Sequence, residues 1–325
     1  MKIKPAEAVR ENGIDMEIQL FAHIIQQDYA CLATPGQSSL AEQRGIAERV
    51  RKRWVMGGPE MFRVSNHRVP FREGQVGIRL FEPDAATDSP ALVYLHGGGW
   101  TIFSLETHDR LMREYAARTG FKVVGVDFSL APENKFPSQI DEIEAVITWL
   151  QIEGSRLGIC PERLAIGGDS AGANLAMATC LRMRDRGLAS GIRAMLLCYG
   201  AFDAGAPYTT HEIETDANFL LTHEEMRGFW RNYLRGPADV SDPLACPMRA
   251  DLRAMPSTFM AIADWDILLD ENLSMAAKLT KVGVMVEAVV YPGTTHSFLE
   301  AVSIARISDR ALAETSGWLG NSLNY

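Results

Sequence analysis

The chain has 325 residues, 47% of them hydrophobic, enough for a large core in one α/β domain carrying an insertion or in two domains. Its formal net charge of −9 argues against a nucleic-acid surface, which needs clustered Lys and Arg. No uncharged apolar run reaches the roughly 18 residues of a membrane span, and the N-terminus lacks an apolar leader, so the expected compartment is the cytoplasm.

Residues 1–60 predict two helices. Asp15 caps the first, with Ile18, Phe21, Ile24 and Ile25 at helical spacing, and Ser39 with Glu42 makes a capping box for the second, which carries Ile46, Val50 and Trp54 on one face. Gly57-Gly58-Pro59 ends it. The cluster Arg49, Arg51, Lys52 and Arg53 reads as a solvated helix face rather than an anion site. Amphipathic helices placed before the first strand must bury their apolar faces, and the expectation is a cap over a sheet. Strand signals follow at 62–69 and 76–81, an antiparallel hairpin at a sheet edge. The run 91–95 (ALVYL) suits a strand buried on both faces and leads straight into His96-Gly97-Gly98-Gly99-Trp100. Thr107 is expected to cap a helix over 108–119 that Gly120 closes. Another buried strand spans 122–128, and Ser138 is expected to cap a helix whose Ile140, Ile143, Val146, Ile147 and Leu150 form one stripe.

An apolar run at 164–167 then passes through Gly168-Asp169-Ser170-Ala171-Gly172 into a small-residue helix. Apolar strands recur at 194–199, 258–263 and 285–291. Between them, about 203–255 shows no clear strand but carries Tyr208, Phe219, Phe229, Trp230 and Tyr233, and reads as a second cap element. Strand and helix alternation of this kind predicts a mostly parallel central sheet with helices on both faces and a helical cap. Reactive groups of such sheets lie beyond the carboxyl ends of the strands.

Four features stand at those ends. They are the glycines 97–99, Ser170, the pair Asp264 and Asp266, and His296. G-x-S-x-G between a strand and a helix is a nucleophile elbow, and the order serine, acid, histidine is that of α/β-hydrolases. A serine hydroxyl is a weak nucleophile, so His296 would take its proton and return it to the leaving group, with a buried carboxylate fixing the imidazole tautomer. The oxyanion needs backbone N–H donors, assigned to Gly98, Gly99 and Ala171. Asp270 reads as the N-cap of the next helix, with Glu271 in its first turn; between Asp264 and Asp266 position alone does not decide the acid.

The stretches HGGGW (96–100), DFSLAPENKFP (127–137), GDSAGANLA (168–176), DILLDE (266–271) and YPGTTHSF (291–298) together resemble the bacterial hormone-sensitive-lipase family of esterases. LAEQR (40–44), GGPEM (57–61) and ETHDR (106–110) are similar to its cytoplasmic acetyl esterase branch. The resemblance, which runs from about residue 40 to the C-terminus, implies an α/β-hydrolase fold; with the element reading above, the expected division is cap helices at 1–60 and a hydrolase domain over 61–325 with a cap insertion at about 203–255. It implies a serine carboxylesterase for short acyl esters working through an acyl-enzyme, without cofactor or metal, and it makes Asp266 the acid. Trp100, Ser129, Ile267 and Ser297 stand where the family more often has Phe, Arg, Pro and Gly; none removes a reacting group. Trp100, Tyr199 and Phe219 are the expected pocket residues. A lactonase or amidase using the same triad, or a non-catalytic binding protein on this scaffold, are the competing readings. The expected partner is a small ester, not nucleic acid or a membrane, and the chain is compatible with a homodimer.

Other residues carry plainer expectations. His96 holds the glycine loop, and His108 with Asp109 is a helix start rather than a metal site. Asp169 either steadies the elbow or is exposed. Cys31, Cys160, Cys180, Cys198 and Cys246 form no C-x-x-C pair and read as buried or incidental thiols. The glycine runs match neither a P-loop nor a dinucleotide fingerprint.

Overall fold

A computed structural model describes residues 13–33, 39–206 and 220–324. Its strands are β1 (Arg63–Phe71), β2 (Gly74–Glu82), β3 (Ser89–Leu95), β4 (Lys122–Asp127), β5 (Ile159–Asp169), β6 (Ile192–Cys198), β7 (Ser257–Trp265) and β8 (Val286–Thr295). They form one sheet in the order β1-β2-β4-β3-β5-β6-β7-β8. β1 pairs antiparallel with β2, and β2 with β4; every other neighbouring pair is parallel. The hairpin therefore forms one edge, as expected, and the continuous apolar runs are the buried centre.

Side chains alternate between two cores, because successive strand residues point to opposite faces. Val93, Ile166 and Leu197 pack on one face with α4 (Ser138–Glu153), α5 (Ala171–Asp185) and α7 (Leu269–Lys281). Leu92, Ala165 and Leu196 pack on the other with α3 (Asp109–Thr119) and α8 (Arg306–Leu323). The α/β-hydrolase architecture expected of the sequence is the one observed.

The helices α1 (Met16–Leu32) and α2 (Leu40–Val55) precede the sheet. Asp15 caps α1, its Oδ1 accepting from the N–H of Glu17 at 2.8 Å, and Ser39 with Glu42 closes the capping box of α2. A third helix, α6 (His223–Tyr233), carries its own capping box from Thr222 and Glu225; no strand occurs among the described residues of 203–255.

Three expected caps are not made. Thr107 Oγ1 donates to the Ser104 carbonyl and contacts His108 Nδ1, so α3 starts without a side-chain cap. Ser138 is the first residue of α4, one place too late to cap it. α7 starts at Leu269, which puts Asp270 in its first turn; Asp266 accepts from the Leu268 N–H at 2.9 Å in the turn before it.

The charged cluster on α2 also divides. Arg49, Lys52 and Arg53 are exposed as expected, but Arg51 is buried and pairs with Glu300 at 2.7 Å. Helical spacing explains it: Arg51 lies on the stripe of Ala47, Val50 and Trp54 that faces the core.

Candidate active site

Ser170, Asp266 and His296 each directly follow the last residue of β5, β7 and β8. Ser170 holds φ +52° and ψ −118°, a left-handed conformation costly for a side chain with a Cβ, and its N–H is fixed by the Cys198 carbonyl at 2.9 Å. Glycine is required on either side of it. A Cβ at Gly168 or Gly172 would come within 2.2 or 1.9 Å of the Leu95 carbonyl oxygen.

His296 Nε2 lies 2.9 Å from Ser170 Oγ, and its Nδ1 lies 2.7 Å from Asp266 Oδ2. With Asp266 as an ionised acceptor, Nδ1 carries the proton and Nε2 is left to accept from the serine hydroxyl. Burial disfavours the imidazolium, yet the adjacent Asp266 carboxylate outweighs it and raises the His296 pKa above the ordinary 6.5. The other aspartates face elsewhere. Asp264 accepts from the N–H groups of Gly293 and Thr294, both at 2.9 Å, pinning the end of β8; burial raises its pKa to about 6. Asp270 is exposed.

Beside the serine runs the glycine turn after β3. Gly98 and Gly99 have φ of +100° and +56°, and the Gly98 carbonyl accepts from the N–H groups of Thr101 and Ile102, both at 3.0 Å. Their own N–H groups have no acceptor among the described residues. Ala171 is the first residue of α5, where a helical N–H lacks an intrahelical partner. Gly98, Gly99, Ser170 and His296 line one cavity of about 450 Å³.

The turn is held from below by Asp169, which is 1% exposed. Its Oδ1 accepts from the Tyr94 hydroxyl at 2.9 Å and the Gly97 N–H at 3.2 Å, and Oδ2 meets His108 Nε2 at 3.3 Å. Burial opposes ionisation of Asp169, but His108 and these donors outweigh it and lower its pKa. Of the two readings of Asp169, the structure selects the one that steadies the elbow. His108 thus pairs with Asp169, while Asp109 accepts from Arg113 at 2.7 Å. His96 donates to the Gly97 carbonyl at 2.7 Å and stacks on Phe128; burial drops its pKa to about 3, so it is neutral. Cys198 lies fully buried in the core.

The expected pocket residues are placed differently. Trp100 is fully buried and stacks on Tyr233 with ring centroids 4.2 Å apart, outside the cavity lining. Tyr199 is also buried and packs edge-on against the His296 ring at 5.0 Å, behind the imidazole. Phe219 lies outside the described residues. The walls instead come from Ile25 and Tyr29 of α1, Arg51 of α2, Phe103, Leu221, and Phe229 of α6. Phe229 rests on the glycine turn: a Cβ at Gly99 would come 2.1 Å from its ring. It also borders a second cavity of about 550 Å³ that shares Tyr29, Ile102 and Glu225 with the first.

Residues 92–300 match a family model described as the α/β-hydrolase fold. Among solved structures, a hyperthermophilic esterase from the archaeon Pyrobaculum calidifontis is 32% identical with a TM-score of 0.89, over 95% of this chain and 98% of that one. A thermophilic carboxylesterase cloned from a metagenomic library is 30% identical with a TM-score of 0.85, over 89% and 99%. A thermostable esterase from Pseudomonas putida is 25% identical with a TM-score of 0.89, over 97% and 99%. The chain belongs to the hormone-sensitive-lipase-like α/β-hydrolases. In this hydrolase the cavity between α1, α2, α6 and the strand ends is the place where an ester can meet the serine. No described helix is long and apolar enough to cross a membrane.

Proposed function

We propose that this hydrolase is a serine carboxylesterase for short acyl esters, with Ser170 as nucleophile, His296 as general acid and base, and Asp266 as its orienting carboxylate. The hydrogen-bonded chain from Ser170 Oγ through His296 to Asp266 carries the reading. Ser170 Oγ attacks the ester carbonyl carbon as its proton passes to His296 Nε2. Negative charge then gathers on the carbonyl oxygen, and the N–H groups of Gly98, Gly99 and Ala171 are the donors assigned to it; each such donor is worth roughly 3 kcal/mol. Collapse breaks the bond to the alcohol oxygen, which takes the proton from His296 and leaves an acyl group on Ser170. Water, deprotonated by His296, repeats the attack and frees the acid.

Two observations support the short acyl group. The sequence resembles the acetyl esterase branch, and the Phe229 ring narrows the cavity directly over Gly99. The helices at 1–60 and the insertion at about 203–255 then serve as the cap that shapes the acyl and alcohol sites.

Steady-state assays on p-nitrophenyl esters from acetate to octanoate, beside lactones and anilides, test this. Highest kcat/KM on the shortest acyl esters is expected. A preference for lactones or anilides would reassign the substrate, and absence of turnover on all three would remove the enzymatic reading.

A further inference from the structure

The wall of the cavity that holds Ser170 carries a guanidinium far from the triad in sequence. Arg51 is 4% exposed and lines the cavity wall. A guanidinium has five N–H donors in a rigid fork. Arg51 Nε donates to Glu300 Oε2 at 2.7 Å, Nη1 reaches the Tyr29 hydroxyl only at 3.5 Å, and Nη2 has no hydrogen bond among the described residues. Phe103 lies against the guanidinium plane at 4.6 Å and keeps it in place.

A pair serving only to tie α2 to the segment after His296 would close the fork on both carboxylate oxygens. It does not: Glu300 Oε1 is itself buried without a partner. The outer nitrogens of Arg51 therefore keep donor capacity that Glu300 does not fill, and the cavity that Arg51 lines is where water or a ligand can accept from them.

We propose that Arg51 and Tyr29 form a polar subsite that binds a second, uncharged oxygen acceptor on the ester, a ketone, ester or amide carbonyl remote from the scissile bond. The charge balance selects an uncharged group. Glu300 already neutralises Arg51, and Glu225 lies on the cavity wall, so a substrate carboxylate would meet two carboxylates against one guanidinium. The proposal rests on the esterase reading above and deepens it. The preferred substrates are then doubly oxygenated esters, such as keto esters, diesters and acylated polyols whose neighbouring positions are also acylated.

The test compares p-nitrophenyl levulinate with p-nitrophenyl valerate on the acyl side. On the alcohol side it compares pentyl acetate with its analogue bearing a ketone at the penultimate carbon, and with γ-acetoxybutyrate as the carboxylate arm. The readout is the ratio of kcat/KM between partners within one protein, so that partial loss of folded enzyme cancels. A ratio of about tenfold in favour of the ketone is expected in at least one series. Arg51→Lys, which keeps the charge opposite Glu300 but not the fork, should bring it down to about two, and Tyr29→Phe should lower it by about twofold to threefold. Circular dichroism melts accompany both variants. A ratio near one in both series, an unchanged ratio in Arg51→Lys, or a carboxylate preferred over the ketone would each overturn the subsite. Absence of turnover on valerate and pentyl acetate alike would instead remove the esterase reading and the subsite with it.

Discussion

At the strand ends, Ser170, Asp266 and His296 each sit one residue past a strand, and Gly98 and Gly99 lie in the turn that follows another. The roof opposite them draws Ile25 and Arg51 from two consecutive helices before the sheet and Phe229 from a third helix far along the chain. The first region is set by local backbone geometry on a rigid sheet, and its groups meet because the strands are parallel and in register. The second is set by which side chains the packing of α1, α2 and α6 leaves facing the cavity. The strand ends should therefore govern whether chemistry happens, and the roof which ester undergoes it.

Ser170→Ala gives the largest expected effect: turnover falls to the residual of about 10³ to 10⁴ over water that an oxyanion hole and binding supply, with an unchanged circular dichroism spectrum. Near-normal hydrolysis by that variant would break the contrast at its root. Asp266→Asn should lower kcat by about 10⁴-fold through loss of the correct imidazole tautomer. Asp264→Asn should mainly lower the melting temperature, since Asp264 holds Gly293 and Thr294 rather than His296. If the two variants exchanged these phenotypes, the acid assignment would be reversed.

In the roof, Phe229→Ala should leave acetate hydrolysis measurable. It should raise kcat/KM on octanoate relative to acetate by roughly tenfold, because it opens the first cavity toward the second. An unchanged chain-length profile would mean that the roof does not select the acyl group.

Smaller effects come from pH. His296 must be neutral to accept the serine proton, and Asp266 raises its pKa above 6.5, so kcat/KM should fall as pH drops through a value above 6.5. Glu271 is buried and accepts from the N–H groups of Phe202 and Asp203; burial raises its pKa from 4.5 to about 8. The folded state then binds more protons than the unfolded one between those values, so this contribution to stability is complete below pH 4.5 and is lost as pH rises through about 8. Urea midpoints across that range should slope downward with pH, and Glu271→Gln should flatten the slope. An equal slope in the variant would detach it from Glu271.

The difference between the regions also explains what could be read in advance. The elbow, the glycine turn and the serine, acid, histidine order are short-range patterns, and the buried strands are continuous apolar runs, so architecture and triad candidates were visible before any coordinates. The choice of Asp266 over Asp264 needed the resemblance, because both follow the apolar run 258–263 in the sequence; the strand in fact extends to Trp265, which keeps Asp264 within β7 and leaves Asp266 in the bend after it, beside His296. Trp100 looked like a pocket wall through its place beside the glycines, yet its positive φ of 56° sends the ring into the core against Tyr233. Arg51 was hidden by its charge, although its spacing from Ala47 and Trp54 already placed it on the buried stripe. Thr107, Ser138 and Asp270 had the composition of caps, but the helices begin one or two residues away from where that composition alone would start them.

The central claim is that Ser170 is a nucleophile activated by His296, and covalent labelling tests it most directly. Incubation of the folded protein with a fluorophosphonate, followed by intact-mass and peptide mass spectrometry, should give one adduct located on Ser170 and none in Ser170→Ala. An unlabelled Ser170 in folded protein, or an adduct on another residue that persists in the variant, would contradict the account.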